Sequence, residues 1–246
     1  RLFVEFLTKN RFIGLLVGMV VTMIIHSSSA TSVMVVGFVN SGIMTLQQAV
    51  GVIMGANIGT TVTGQLLSFD IVKYAPLALG GGLILQSLSK TTRKRNFAEI
   101  LIGFGILFVG MGLLKSSMNP LKEFPQFEEM LIKWGSNPLL GVLLGFIITL
   151  IMQSSAATIG LLIALGSEGL IPITAALYIV YGDNIGTCTT ALISSIGSSR
   201  NARRVALIHL MFNIIGTLIF VLFLGKPLYS IVTYFNPTDV ARQIAN

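Results

Sequence analysis

Long apolar runs, broken by short polar interruptions, make up most of the chain, and the interruptions recur. Phe12–Ile25 is apolar. It is followed by His26-Ser27-Ser28-Ser29-Ala30-Thr31, a second apolar piece over Val33–Val39 and a turn at Asn40-Ser41-Gly42. Each piece is short against a ~30 Å hydrocarbon core, so the pair predicts a re-entrant hairpin with the serines at its tip. Ile43–Phe69 is apolar around Gly55-Ala56-Asn57-Ile58-Gly59-Thr60-Thr61 and predicts one crossing built from two half-helices. Tyr74–Leu88 and Phe97–Leu114 predict two further crossings, and 115–136 reads as an extramembrane connector. The pattern then restarts. Pro138–Met152, Gln153-Ser154-Ser155-Ala156-Ala157-Thr158 and the apolar stretch to Leu165 form a second hairpin. Ile171–Ile196, interrupted at Gly182-Asp183-Asn184-Ile185-Gly186-Thr187, forms a second broken crossing. Val205–Leu224 predicts a last crossing before a polar tail.

The two halves align at an offset of 127 residues without a gap. Residues 14–31 and 141–158 share nine of eighteen positions, and 55–63 and 182–190 share six of nine. The identities include Gly, Ser, Asn and Thr, which chance similarity between apolar helices does not supply. Three predicted crossings separate the hairpins, so the second copy is expected to be upside down, a common plan of secondary transporters. The reading is an all-α integral membrane protein with two inverted-topology repeats, 1–96 and 97–246. Each repeat has a re-entrant helical hairpin and a broken transmembrane helix. The second copy is preceded by the crossing 97–114 and the first has no counterpart, so a further N-terminal span is expected.

Composition agrees: 53% hydrophobic residues, 10% charged and a mean hydropathy of +0.86 describe a membrane protein. The net charge of +7 comes from loops and does not imply nucleic acid. With residues 90–96 and 197–204 in the cytoplasm of a multi-pass cell-membrane protein, the inside carries a net +8, the outside zero and the spans −1. This distribution follows the positive-inside rule. The single Cys188 allows no internal disulfide. No metal cluster or nucleophile–base pair suggests an enzyme, and no organic cofactor is implied.

The polar interruptions are the candidate chemistry. Helix starts within a membrane offer N–H donors and a dipole that favour anions, and serine hydroxyls add more. Ser27, Ser28, Ser29, Gln153, Ser154 and Ser155 are the candidate anion ligands. No Lys or Arg lies in a predicted span, so the charge of a bound anion needs another balance, which cations could supply. Oxygen ligands suit a hard cation such as sodium. The candidates are His26, Thr31, Asn57, Thr60, Thr61, Thr158, Asp183, Asn184 and Thr187; Asp183, the one carboxylate in a predicted span, could hold a cation or a proton, or serve as a structural cap. Asn57 and Asn184 equally suit capping the half-helix that follows each glycine break. His209 and Asn213 share a helix face and fit a packed, hydrogen-bonded pair better than a ligand set.

With these segments in view, the chain resembles the type II sodium/phosphate cotransporter family. The matching segments are Ser27–Thr31, Gly37–Gly42 and Gly55–Thr61 in the first copy, and Gln153–Ala156 and Asn184–Thr187 in the second. Arg204, His209 and Phe212-Asn213 are similar to that family's ending of the second repeat. The resemblance implies inward co-transport of inorganic phosphate with sodium, with the Ser clusters and Asn-Ile-Gly-Thr segments lining the ion sites. One position departs: the family's first cluster usually begins with Gln, and here it begins with His26. A histidine there predicts transport that responds to imidazole protonation. The competing readings are a passive anion channel and a phosphate-sensing membrane protein.

Overall fold

The computed structural model describes residues 10–69, 71–118, 120 and 123–245. Residues 1–9 and Asp70 lie outside the described residues. Among the described residues the chain is helical throughout, with no strand. The first half contains α1 (Arg11–Ile25), α2 (Ser28–Asn40), α3 (Leu46–Ser68), α4 (Ala75–Leu88) and α5 (Thr92–Met118). The second contains α6 (Pro125–Gly135), α7 (Pro138–Met152), α8 (Ser155–Ser167), α9 (Ile173–Ser194), α10 (Arg200–Ile219), a π-helical turn over Phe220–Leu224, α11 (Gly225–Phe235) and α12 (Val240–Ala245). Among the described residues three helices are long and apolar enough to cross a membrane, Leu46–Ser68, Thr92–Ser117 and Arg200–Phe235. A fourth candidate joins Glu129–Gly135 and Pro138–Met152 across a 108° bend.

The closest helix pairings are α1 with α3 and α7 with α9, and glycine makes both. A Cβ at Gly18 would lie 1.9 Å from the Val52 carbonyl oxygen, and one at Gly55 the same distance from that of Leu15. At the equivalent positions, Gly145 meets the Ile179 oxygen and Gly182 the Val142 oxygen, also at 1.9 Å. Backbones in this contact gain dispersion energy that lipid cannot supply between larger side chains.

These glycines correct the expectation of broken crossings. α3 and α9 run without interruption through 55–61 and 182–187. A helical glycine loses about 1 kcal/mol relative to alanine, and here the neighbouring helix compensates by packing onto the bare backbone. No carbonyl is released for a cation at these segments, and Asn57 and Asn184 lie inside helices rather than capping them.

The connections around the Ser clusters are duplicated in detail. α1 ends at His26, with φ 56° and ψ 28°, and α7 ends at Gln153, with φ 53° and ψ 22°. Non-glycine residues in this left-handed region carry strain. Ser27 and Ser154 follow in extended conformation, and their hydroxyls cap α2 and α8 by accepting from the N–H groups of Ala30 and Ala157 at 3.1 and 3.3 Å. Both second helices close on a left-handed glycine, Gly42 (φ 70°) and Gly169 (φ 74°). Asn40 at the end of α2 accepts from the Ser199 N–H at 2.8 Å, tying the first copy to the start of α10.

The last third of the chain also differs from expectation. The final crossing begins at Arg200 and continues through the π turn to Phe235. Pro227 lacks an N–H, and its ring crowds the carbonyl four residues back, which accounts for a widened turn at this point. The supposed polar tail folds back as α12, with Ala241, Gln243, Ile244 and Ala245 buried. Two apolar cores result. One joins α8 and α9 with α12, Leu67 and Met111. The other joins α2 and α3 with Ala191, Ala202, Val205 and Ala206. Each therefore contains residues of both halves.

Candidate functional site

The two copies meet at a cavity of about 140 Å³. This is well below the ~300–1,000 Å³ of pockets for drug-sized ligands and suits a small ion. Ser28, Asn57, Thr60 and Thr61 line it from the first copy, and Ser155, Asp183, Asn184 and Thr187 from the second. Eight of the residues expected from sequence are thus brought together. Their alignment follows from the fold: Ser28 and Ser155 open α2 and α8, and the others lie on adjoining turns of α3 and α9.

The remaining expected residues do not line the cavity. The Thr22 hydroxyl donates to that of Thr31 at 2.9 Å, and Thr31 donates to the Ser27 carbonyl at 3.1 Å. The second copy repeats this, with Thr149 and Thr158 hydroxyls 3.0 Å apart and Thr158 donating to the Ser154 carbonyl at 3.3 Å. Ser27 and Ser154 are occupied as caps. Ser29 is half-buried away from the cavity. His26 is exposed, with Nδ1 2.9 Å from the Thr63 hydroxyl. Its counterpart Gln153 is also exposed and donates to its own helix at the Leu150 carbonyl, 2.5 Å away.

One polar element exists only in the second copy. Asp183 is 1% exposed and lines the cavity, and its Oδ1 accepts from the Thr149 hydroxyl at 2.6 Å. The equivalent position in the first copy is Ala56. Among the described residues no basic side chain forms an ion pair with Asp183. A buried carboxylate is strongly disfavoured unless a cation or a proton neutralises it.

The two asparagines are also unequal. Asn57 is held by helix α10: its Nδ2 donates to Asn213 Oδ1 at 2.9 Å, and its Oδ1 lies 3.2 Å from His209 Nε2. Asn213 in turn donates to the His209 carbonyl at 2.9 Å and to Cys188 Sγ at 3.2 Å. Since Asn57 Oδ1 can only accept, Nε2 carries the hydrogen. The expected His209–Asn213 pair is therefore part of a clasp that ties the first copy to the helix after the second. Its members lie 152 and 156 residues apart, and nothing in the spacing signals it. A double-mutant cycle of Asn57→Ala and His209→Ala is expected to give a coupling of roughly 0.5–3 kcal/mol in thermal unfolding. Additive effects would show that the clasp carries no energy.

Sequence reading also missed the C-terminal segment. Ile244 and Ala245 line the cavity, and Gln65 Nε2 donates to the Ala245 carbonyl at 2.9 Å. α12 thereby closes one side of the cavity with apolar atoms.

An all-helical protein with helices able to span a membrane and a small polar cavity between duplicated halves has the construction of an ion or solute transporter. The profile of the Na+/Pi-cotransporter family matches residues 1–116 and 121–235, and the chain belongs to this family, which is a family of transporters rather than enzymes. The uncharacterized protein YqeW of Bacillus subtilis is 30% identical over 239 residues, 97% of this chain and 77% of that protein. YjbB of Escherichia coli, provisionally named an inorganic phosphate export protein, is 29% identical over 229 residues. That alignment covers 89% of this chain and 42% of YjbB, so the chain spans less than half of that relative. Human sodium-dependent phosphate transport protein 2B is 40% identical over 60 residues, 24% of this chain and 9% of that protein. No solved structure gives a significant match.

Proposed function

We propose that the protein is a secondary active transporter that moves inorganic phosphate into the cell together with sodium, with the shared cavity as its ion site. The observation that carries this reading is the meeting of Ser28 and Ser155, the first helical residues after the two clusters, in one small cavity that also holds Asp183. The N-termini of α2 and α8 and the two hydroxyls supply donors to an oxyanion. The lining contains no lysine or arginine. A largely divalent phosphate beside a carboxylate then requires bound cations, since an uncompensated buried charge costs several kcal/mol. This makes the coupling obligatory: phosphate binds only where sodium has reduced the negative charge. Sodium is assigned to Asp183, Asn184 and Thr187, with Thr60, Thr61 and Asn57 facing them from the first copy. Thr31, Thr158, His26, Gln153, Ser27, Ser29 and Ser154 are assigned to holding the tips.

The duplicated halves are read as an inverted pair in a cell membrane, with loops 90–96 and 197–204 cytoplasmic. Helices α1 and α2, of 15 and 13 residues, rise only about 22 and 20 Å at 1.5 Å per residue. Each therefore falls short of the ~30 Å hydrocarbon core, which favours re-entrant hairpins entering from opposite sides. The name of YjbB raises export as the second direction. An inward sodium gradient favours import of a symported anion.

The decisive experiment reconstitutes the protein in liposomes and follows phosphate movement in both directions, with and without a sodium gradient. Uptake that requires sodium is expected, and sodium-independent flux would overturn the symport reading. Ser28→Ala and Ser155→Ala each remove a hydrogen bond to a charged ligand, worth about 1.5–3 kcal/mol. Apparent phosphate affinity is expected to fall roughly tenfold to a hundredfold for each. Wild-type affinity in both variants would reassign the serines to packing.

A further inference from the structure

A second concavity, of about 600 Å³, lies between α9, the π turn and α11, and shares no lining residue with the central cavity. Its single charged residue is Lys226, exposed and without an ion pair among the described residues. One wall is apolar, with Val221, Leu222 and Phe223. The other carries Tyr178, Tyr229 and Tyr181. The Tyr181 hydroxyl is buried behind this wall and has no hydrogen-bond partner among the described residues.

Depth in the membrane adds an independent constraint. Lys226 follows Arg204 by 22 residues on one uninterrupted helical run, about 33 Å of rise. Arg200, Arg203 and Arg204 mark one edge of the bilayer, so Lys226 reaches the headgroup level of the other. Tyrosines are favoured at the same level.

We propose that this groove is a binding site for an anionic glycerophospholipid. Lys226 and the hydroxyls of Tyr178 and Tyr229 hold the phosphodiester, and an acyl chain lies along Val221, Leu222 and Phe223. The volume falls in the ~300–1,000 Å³ range of small-molecule sites and is several times that of the central cavity. Free phosphate would leave the apolar wall uncovered, so the groove takes the phosphate group as part of a lipid. Lipid bound here rests against the π turn and against Tyr181, whose backbone carbonyl accepts from Thr217 at 3.1 Å. It therefore braces α9 against α10 on the outer side of the clasp.

The test incorporates the whole protein into phosphatidylcholine vesicles containing a minor fraction of phosphatidylglycerol and counts retained lipid by native mass spectrometry. Wild-type protein is expected to retain phosphatidylglycerol well above its share of the vesicle. Lys226→Ala should reduce that retention about fivefold, the share one lysine contributes at an anionic surface, and Lys226→Arg should restore it. Lys73→Ala removes another lysine without an ion pair among the described residues, one that lies over the Tyr74 ring at 5.1 Å, and should leave retention unchanged. Equal losses in Lys73→Ala and Lys226→Ala, or no loss in Lys226→Ala, would overturn the site. Displacement of the lipid by inorganic phosphate at wild-type Lys226 would overturn the lipid assignment in favour of free phosphate. Phosphate uptake in Lys226→Ala, measured on the same preparations, reports separately on the central cavity.

Discussion

Asp183→Asn is expected to weaken the sodium dependence of phosphate uptake by at least tenfold. The substitution keeps the shape of the side chain and leaves an oxygen to accept from Thr149, whose hydroxyl lies 2.6 Å from Oδ1. What it removes is the charge. Breaking one member of a buried ion pair costs roughly 3–5 kcal/mol, about two to four orders of magnitude in a binding constant. The carboxylate lies at the wall of a cavity whose lining contains no positive side chain, and in the proposed symport its partner is bound sodium. The measurement is the sodium concentration giving half-maximal uptake in liposomes, with sodium-induced thermal stabilisation as a readout independent of flux. Ala56→Asp places a carboxylate at the equivalent site of the first copy, where Thr22 takes the place of Thr149. On the same logic it should raise the sodium requirement rather than restore it. An Asp183→Asn protein with wild-type sodium dependence would remove the cation from this wall.

How much of this was legible beforehand depends on whether a feature lies within one helix or between distant ones. The duplication was visible because it is written in Gly, Ser, Asn and Thr, whose identities packing against lipid does not require. The composition of the cavity followed from it, since Ser28, Ser155, Asn57 and Asn184 belong to the repeated segments. The glycines were visible but ambiguous. Gly55 and Gly59 suit either an interrupted helix or a close helix contact, because glycine disfavours the helix only mildly and allows both. The Leu15 carbonyl and the Thr22 side chain, which face them, decide for contact, and those neighbours lie in another element. The clasp from Asn57 to His209 and Asn213 depends on α3 and α10 coming together, and the approach of Ile244 depends on a six-residue helix. A short segment bearing Arg242 and Gln243 has no apolar period by which to announce burial. The unequal roles of Thr31 and Ser28 were likewise beyond reach, because a hydroxyl on a helix reads the same whether it faces a cavity or its neighbour.

The largest effect on stability is expected from Gly145→Ala. The added methyl would lie 1.9 Å from the Ile179 carbonyl oxygen and 2.7 Å from its carbon. A side chain in that position could rotate away, but a backbone oxygen within a helix cannot, so α7 and α9 must separate. Overpacking typically costs about 1–3 kcal/mol, and a rigid backbone contact belongs at or above the upper end. Gly18→Ala meets the Val52 oxygen at the same 1.9 Å and should behave alike. Gly103 and Gly216 face open space, with nothing within 4 Å of an added methyl. Alanine there should be neutral or stabilising by up to about 1 kcal/mol. The comparison is read from the unfolding midpoint in detergent and the fraction of protein that remains monodisperse. The consequence extends to transport, because α7 carries Thr149 and α9 carries Asp183. Helices forced apart at Gly145 pull the hydroxyl from the carboxylate one turn further on, so Gly145→Ala should lose sodium-dependent uptake at temperatures where it is still folded. A Gly145→Ala protein with an unchanged midpoint would mean that the two helices are not in backbone contact. The placement of Asp183 would then need another cause.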